Sequence, residues 1–361
     1  MTKTRLDAID FWRGVVLSII FVNHIPGNIL GALTPRNFGF SDASEAFVFI
    51  SGLSIAVAYG RKFGDGRGFS AGKPLIRRAA RLYLVHLALT AAAIALLFTA
   101  SSVSGREWLP EFGCGAACQD PARGVWGFLI LAEQISYFNI LPLYVVLLVL
   151  APLLLVVGAR DRVAMLAASF ALYVAGRWFE PALRASPDQA AWYFNPAAWQ
   201  LMFAMGVFTG LSLPEGGPTH RRSLYWLALL FSMVAAVVVS NAGGLSPGLV
   251  DRAGEFLDWN KSSLGTVRII AFVALAYCIY CSGMTERLRR LSIYPAFSLL
   301  GRNALPVFCV ASLLSALGQI LNECWLASPV LDVVFVAAGL CALLAIAHVL
   351  EGRRETRWAA A

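Results

Sequence analysis

The stretch Leu141-Pro-Leu-Tyr-Val-Val-Leu-Leu-Val-Leu-Ala-Pro-Leu-Leu-Leu-Val-Val-Gly158 contains no charged side chain, and neither do residues 223–248. Runs of this length can cross the roughly 30 Å of bilayer hydrocarbon as helices. The chain of 361 residues is 58% hydrophobic and only 14% charged, whereas a soluble domain is about 25% charged. These features predict an all-α fold, a single bundle of transmembrane helices, and argue against several soluble domains.

Ten segments are predicted to span the membrane, and the basic residues predict their orientation. Lysine and arginine precede the first segment, follow every second segment and occur in the C-terminal tail. Because cytoplasmic loops are enriched in these residues, both termini are predicted in the cytoplasm. The net charge of +8 has the same origin, so we expect a lipid bilayer and no nucleic acid as partner. The predicted spans are residues 8–30, 43–60, 79–100, 139–158, 162–176, 196–213, 223–241, 265–282, 301–320 and 329–350.

We therefore treat residues 1–361 as one integral-membrane domain of a multi-pass protein in a bacterial inner membrane. The longest outer loop, residues 101–138, is predicted to hold a short interfacial helix at residues 125–135. It also contains Cys114 and Cys118, and the oxidising periplasm favours a disulfide between them. Cys278 and Cys281 fall inside an apolar span without a second pair, so we predict no metal site.

The first span carries an unusual set of polar residues. On an α-helix, Arg13 and His24 are eleven residues apart and so share one face. Asp10 lies one turn before Arg13, and Asn28 one turn after His24. Ionisable groups inside a bilayer are costly and usually face the interior of the bundle. The spacing predicts a polar stripe along this helix, with a local kink at Pro26.

Two carboxylates begin the second span. Asp42 and Glu45 are three residues apart, and the short link 31–40 joins them to the outer end of the first span. We predict that His24 is a catalytic general base, oriented by Asp42 or Glu45. A proton relay, a substrate ligand and a structural pair are the alternatives for this histidine.

Other polar and aromatic residues are predicted to face the same outer cavity. Aromatic rings beside amides and charges suit sugar binding, although an aromatic belt at the membrane interface explains any single tryptophan or tyrosine equally well. The candidate substrate-binding residues are Asn28, Arg36, Asn37, Asn139, Trp192, Asn195, Trp199, Trp259, Asn260 and Lys261.

A second group of candidates lies at the inner end of the bundle. Arginine side chains there suit the phosphates of a cytosolic cofactor. For the arginines of the loop after the second span, the membrane topology alone is a sufficient reason. The candidate cofactor-binding residues are Arg13, Arg302, Asn303, Arg77 and Arg78.

Several motifs resemble those of the OpgC family. They are Arg-Leu-Asp-Ala-Ile-Asp-Phe-Trp-Arg-Gly (5–14), Asn-His-Ile-Pro-Gly-Asn (23–28), residues 34–49, Ile-Leu-Pro-Leu-Tyr (140–144), Asn-Pro-Ala-Ala-Trp-Gln (195–200) and Leu-Gly-Arg-Asn-Ala (300–304).

This resemblance implies a membrane acyltransferase, similar to the acyltransferase-3 group, that adds succinyl groups to osmoregulated periplasmic glucans. The essential histidine and arginine of the related groups would map to His24 and Arg13. Succinyl-CoA as donor and a periplasmic glucan as acceptor follow from the resemblance alone. An acetyltransferase of the same architecture, or a transporter of a glucan precursor or anionic metabolite, are the alternatives. The sequence does not predict an oligomeric state.

Overall fold

The computed structural model describes residues 3–65, 68–114, 120–178, 192–241, 244, 254, 256–324 and 328–359. All regular structure in these residues is helical, which confirms the all-α prediction. The α-helices are α1 Lys3–Asn23, α2 Ala43–Gly64, α3 Gly68–Ser104, α4 Trp108–Glu111, α5 Pro121–Leu129, α6 Ile140–Arg160, α7 Arg162–Trp178, α8 Pro196–Ser212, α9 Arg222–Val239, α10 Thr266–Cys281, α11 Met284–Leu288, α12 Tyr294–Arg302, α13 Ala304–Cys324 and α14 Pro329–Ala359.

Seven of the helices are long and apolar enough to cross a membrane, so the chain is a multi-pass membrane protein. They are α2, α3, α6, α8, α9, α13 and α14. Helix α10 is a shorter apolar helix of 16 residues. Each of the ten predicted spans coincides with helix, but ten crossings and cytoplasmic termini stay predictions.

The chain divides into two compact units. The prediction of a single domain stays a prediction. The first unit consists of Met1–Phe47, Thr219–Trp259 and Thr266–Ala361, and the second of Val48–Pro218 and Asn260–Gly265.

In the first unit, α1 packs against α12 and α13. Two glycines allow the backbones of α1 and α12 to touch. A Cβ atom on Gly14 would overlap the carbonyl oxygen of Phe297, and one on Gly301 would overlap that of Asp10. Beside this contact the ring of Phe11 stacks on Tyr294 with 4.2 Å between centroids. Membrane helices use small residues in this way because close packing replaces the hydrophobic driving force available in water.

The second unit uses the same principle between α2 and α8. A Cβ atom on Gly52 would overlap the carbonyl oxygen of Phe203, and one on Gly206 would overlap that of Phe49. Helix α6 packs against α3, α7 and α8 and contributes a mostly buried apolar face.

The first predicted span ends earlier than the sequence pattern indicated. Helix α1 stops at Asn23, and Asn28 instead caps a short 3₁₀ helix, Ile29–Leu33. The prediction that Asn28 extends the helical stripe is therefore wrong. Helices usually end at or before the residue preceding a proline, and Pro26 is followed by Gly27 with a positive φ of 78°.

Two other predicted elements are changed in part. The interfacial helix of the outer loop exists as α5, Pro121–Leu129, so residues 130–135 are not helical. The predicted ninth span, residues 301–320, contains a break at Asn303, which separates α12 from α13, so its helix begins at Ala304.

Cys114 is buried, whereas Cys118 lies outside the described residues, so the disulfide stays a prediction.

Candidate functional site

The start of α1 is fastened to the segment that leads into α12. The indole N–H of Trp12 donates to the hydroxyl of Thr285 at 2.9 Å. A carboxylate oxygen of Asp7 lies 3.8 Å from Nε of Arg289. These two contacts of the motif at residues 5–14 hold α1 in place, and so they help to fix the position of Arg13.

Arg13 points into the junction of α1 and α12. Its Nη1 lies 3.0 Å from Oδ1 of Asp10, and it also donates to the carbonyl of Gly301 at 3.4 Å. The two side chains are 16% and 24% exposed. Partial burial beside a carboxylate holds the guanidinium in one orientation, because an unpaired charge there would be costly.

Arg302 and Asn303 stand at the break that follows Gly301. Both donate to one carboxylate of α14: Nε of Arg302 to Oε1 of Glu351 at 3.1 Å, and Nδ2 of Asn303 to Oε2 at 3.3 Å. The structure therefore brings together Arg13, Arg302 and Asn303, three of the five residues predicted to bind a cofactor. Two of the three, Arg302 and Asn303, bind the same carboxylate.

Arg77 and Arg78 belong to the second unit. Both are exposed on α3. Nη2 of Arg78 donates to the hydroxyl of Tyr144 at 3.3 Å. Their predicted role in binding phosphates stays a prediction.

His24 is the first residue after α1. Its backbone N–H still donates to the carbonyl of Ile20 at 3.1 Å, so the side chain leaves from the last turn of the helix. The side chain is partly buried. His24, Asp42 and Glu45 all belong to the first unit, but the predicted contact between the imidazole and either carboxylate stays a prediction.

The loop after His24 is held in place by its own polar side chains. The amide N–H groups of Asn28 donate to the carbonyls of Val22 and Ile25, and its oxygen accepts from the N–H of Gly31 at 2.8 Å. Asn28 is 6% exposed. With both of its amide hydrogens used, this side chain shapes the loop in this structure.

Arg36 and Asn37 also make bonds within this loop. Arg36 donates to the carbonyl of Asn23 at 3.2 Å, and Asn37 donates to the carbonyl of Gly31 at 2.7 Å. The hydroxyl of Thr34 donates to the side-chain oxygen of Asn23 at 2.6 Å. A substrate-binding role for Asn28, Arg36 and Asn37 stays a prediction.

Helix α2 begins with a capping box. Oδ1 of Asp42 accepts from the N–H of Ser44 at 2.7 Å, and Oε2 of Glu45 accepts from the N–H of Asp42 at 2.8 Å. This reciprocal pattern satisfies backbone donors that have no partner inside the helix.

The same two carboxylates meet an arginine that the sequence analysis missed. Nε of Arg268, on α10, donates to Oε1 of Glu45 at 2.6 Å. Its Nη2 lies 3.4 Å from Oδ2 of Asp42. Glu45 is completely buried, and the side chains of Asp42 and Arg268 are 13% and 11% exposed. The available signal was the presence of one arginine inside an apolar span, since such residues face the interior and pair with acids.

An apolar pocket of about 280 Å³ lies beside this ion cluster in the first unit. Its walls come from the loop before α2, from α9 and from α10, with Phe38, Phe231 and Ala271 among the lining residues. Trp259, a predicted substrate-binding residue, packs close by, with its ring 5.6 Å from that of Phe40.

The other predicted substrate-binding residues lie in the second unit. Trp199 is fully buried, and its indole N–H donates to the carbonyls of Lys261 and Ser262 at 3.1 Å. Asn195 caps α8 by accepting from the N–H of Ala197 at 2.9 Å. The backbone N–H of Asn195 donates to the carbonyl of Ser262 at 3.0 Å, so residues 195 and 199 together hold residues 260–265 against α8. The buried ring of Trp199 offers no face to a soluble sugar in this structure.

Lys261 is the centre of a more open group. Its Nζ lies 6.0 Å from the ring centroid of Tyr193 and 5.9 Å from that of Phe194, as in a cation–π contact. Asn260 is exposed, and its side-chain oxygen accepts from the N–H of Ser263. Trp192 and Asn139 are partly buried.

No group of three or more metal-ligating side chains occurs among the residues that the structure describes. The prediction of no metal stays untested. What the first unit does offer is two polar clusters, one around Arg13 and Arg302 and one around Asp42, Glu45 and Arg268.

The comparison with protein families identifies the chain. The model of the OpgC protein family matches residues 5–355, nearly the whole length. The searches against curated proteins and against solved structures found no match. The long match confirms the resemblance seen in the sequence motifs. The chain therefore belongs to the OpgC family of membrane acyltransferases that modify osmoregulated periplasmic glucans.

Proposed function

We propose that this protein transfers a succinyl group from cytosolic succinyl-CoA to hydroxyl groups of a periplasmic glucan at the inner membrane. The observation that carries the proposal is the family match over residues 5–355. The two polar clusters of the first unit support it, because a transmembrane acyl transfer needs one site for the donor and one for the reaction.

The donor site is assigned to Arg13, Arg302 and Asn303. CoA carries several phosphate groups, and arginine binds phosphate through short, charge-assisted hydrogen bonds. Arg302 and Asn303 already bind the carboxylate of Glu351, which supports their assignment to an anion. Arg77 and Arg78, exposed on α3 of the second unit, are proposed as phosphate ligands on their charge and exposure alone.

The reacting group is assigned to His24. A glucosyl hydroxyl oxygen attacks the thioester carbonyl carbon while the imidazole accepts the hydroxyl proton. The C–S bond then breaks, and the proton passes to the sulfur of the departing CoA. Asp42 or Glu45 orients the imidazole and stabilises its protonated form.

The remaining candidates are assigned to the acceptor and the oxyanion. Asn23, next to His24 in the chain, supplies an amide group, and a hydrogen-bond donor there would stabilise the negative charge of the tetrahedral intermediate. Lys261, with the aromatic rings beside it, and the exposed Asn260 suit a sugar with charged substituents. Arg36 or Lys261 would bind the free carboxylate of the succinyl group.

The test uses purified protein in liposomes with labelled succinyl-CoA and a glucan acceptor. Labelled glucan and free CoA thiol should form in equal amounts. His24→Ala should abolish both while the protein remains folded. His220→Ala is the matched control, because His220 is exposed and lies outside both clusters.

Three outcomes would contradict parts of the proposal. Transfer from acetyl-CoA in place of succinyl-CoA would change the donor. Uptake of substrate into the liposomes without release of thiol would identify a transporter. Substantial transfer by His24→Ala would remove His24 from the mechanism.

A further inference from the structure

Arg268 is a buried arginine near the start of an apolar helix. It lies in the first turn of α10, whose sequence is Thr-Val-Arg-Ile-Ile-Ala-Phe-Val-Ala-Leu-Ala. Its side chain is 11% exposed. A buried guanidinium is costly unless carboxylates compensate its charge, so the acids that surround it determine what it does.

Glu45 is the acid that Arg268 holds most tightly. One carboxylate oxygen of Glu45 accepts from Nε of Arg268 at 2.6 Å. The other accepts from the N–H of Asp42 at 2.8 Å. Glu45 has no exposed surface. Both of its oxygens are therefore engaged, and a substrate has no access to them in this structure.

Asp42 is held differently. One of its oxygens accepts from the N–H of Ser44 at 2.7 Å. The other lies 3.4 Å from Nη2 of Arg268, a distance longer than a normal charge-assisted hydrogen bond. The side chain of Asp42 is 13% exposed. Of the two acids, Asp42 is the one with an accessible carboxylate edge. Asp42 also lies at the amino end of α2, where the helix dipole favours an anion.

We propose that Arg268 is a positioning residue. It fixes the carboxylate of Glu45, which has a structural role, and Asp42 is the carboxylate that orients His24 in the reaction. The inference rests on the proposed function, in which one of these acids orients His24, and it chooses between them. It also assigns to α10 a part in the site that no sequence motif indicated.

The geometry explains why an arginine is needed. Its planar fork presents Nε and Nη2 on one edge, and each lies 2.6 Å from Oε1 of Glu45. Nη2 also lies 3.4 Å from Oδ2 of Asp42. A lysine ammonium is a single point and cannot keep both directions. Arg268→Lys should therefore keep the charge and lose part of the positioning.

The test is a cycle of variants measured in liposomes. Asp42→Asn should lower kcat by about 100-fold with little change in KM, because it removes the partner of the general base. Arg268→Gln should lower kcat by about 100-fold through misplacement of Asp42. Glu45→Gln with Arg268→Gln should regain at least about ten-fold over Arg268→Gln alone, because it removes the unpaired buried charge.

Two results would overturn the inference. One is a double variant no more active than Arg268→Gln. The other is Asp42→Asn with activity close to that of the unaltered protein while Glu45→Gln is inactive. Adding Arg268→Gln to Asp42→Asn should give no recovery, because that double variant leaves the buried charge of Glu45 without Arg268.

Thermal unfolding of the same variants separates this inference from the proposed function. If the unaltered protein transfers no acyl group, the proposed function fails. The contact between Glu45 and Arg268 can still be tested in that case. The changes in melting temperature caused by Glu45→Gln and Arg268→Gln should be strongly non-additive, because the two side chains are in contact. Additive effects in unfolding would refute the pair whatever the activity.

Discussion

The carbonyl oxygen of Asp10 occupies the space that a side chain on Gly301 would fill. Gly301→Ala should therefore separate α1 from α12. Overpacking of this kind costs about 1–3 kcal/mol, so the melting temperature in detergent should fall by several degrees. Because Arg13 donates to the carbonyl of Gly301, donor binding should weaken as well.

Gly352→Ala is the matched control for this variant. Gly352 lies in α14, and a Cβ atom there would meet nothing within 4 Å. Alanine favours helix over glycine by about 1 kcal/mol, so the control should keep or raise the melting temperature. Equal effects of the two variants would contradict the close contact.

Arg302 is predicted to bind the donor. Arg302→Ala should raise the KM for succinyl-CoA by about ten-fold, since a charged hydrogen bond contributes about 1.5–3 kcal/mol. The kcat should change less. Steady-state kinetics with Arg353→Ala as control will measure this, because Arg353 is exposed on the same terminal helix that carries Glu351.

Substitution of Glu351 is expected to change the KM for succinyl-CoA in the opposite direction. The carboxylate of Glu351 accepts hydrogen bonds from the side-chain N–H groups of Arg302 and Asn303. Glu351→Gln removes a negative charge from the anion site and should lower the KM for the donor by a few-fold. Raised KM values in both variants would mean that the pair is structural.

Tyr173 fastens residues 260–265 within the second unit. Its hydroxyl donates to the carbonyl of Leu264 at 3.0 Å, and Arg177 donates to the same carbonyl at 3.3 Å. Tyr173→Phe should cost about 1 kcal/mol and speed hydrogen exchange of residues 260–265. Tyr280→Phe is the control, because Tyr280 is 49% exposed. Unchanged exchange in Tyr173→Phe would show that other bonds hold this segment.

The outer-loop disulfide can be tested by counting thiols. The chain has seven cysteines. If Cys114 and Cys118 are bonded, two of the seven should react with a maleimide only after reduction of the denatured protein. Measurement by intact mass of protein from oxidised membranes will decide. Seven reactive thiols before reduction would refute the bond.

Local sequence patterns predicted most of the helices and misplaced some of their ends. The apolar runs that form α2, α3, α6 to α10, α13 and α14 were predicted, because a chain in lipid must satisfy its backbone within each segment. The end of α1 was misplaced because the helical spacing of His24 and Asn28 was followed past Pro26, where the backbone turns. Asp42 and Glu45 were related to His24 from the sequence, and the capping box that the two residues also form was not predicted.

No pattern in the sequence predicted which polar residues would contact each other. Arg268 and Glu45 are 223 residues apart in the chain, and Arg302 and Glu351 are 49 apart. Trp199 was predicted to bind a sugar, because an aromatic ring near polar residues looks the same in the sequence whether it is buried or exposed.

The sequence by itself determined that the chain is an all-helical membrane protein and that it belongs to the OpgC family, because charge-free runs and long motifs are local properties. Only the tertiary structure decided which charges meet. Helix packing, set by backbone contacts such as that between Gly301 and Asp10, brings Arg302 to Glu351 and Arg268 to Glu45. Such pairs depend on the distance between helices in space, and no spacing along the chain encodes that distance.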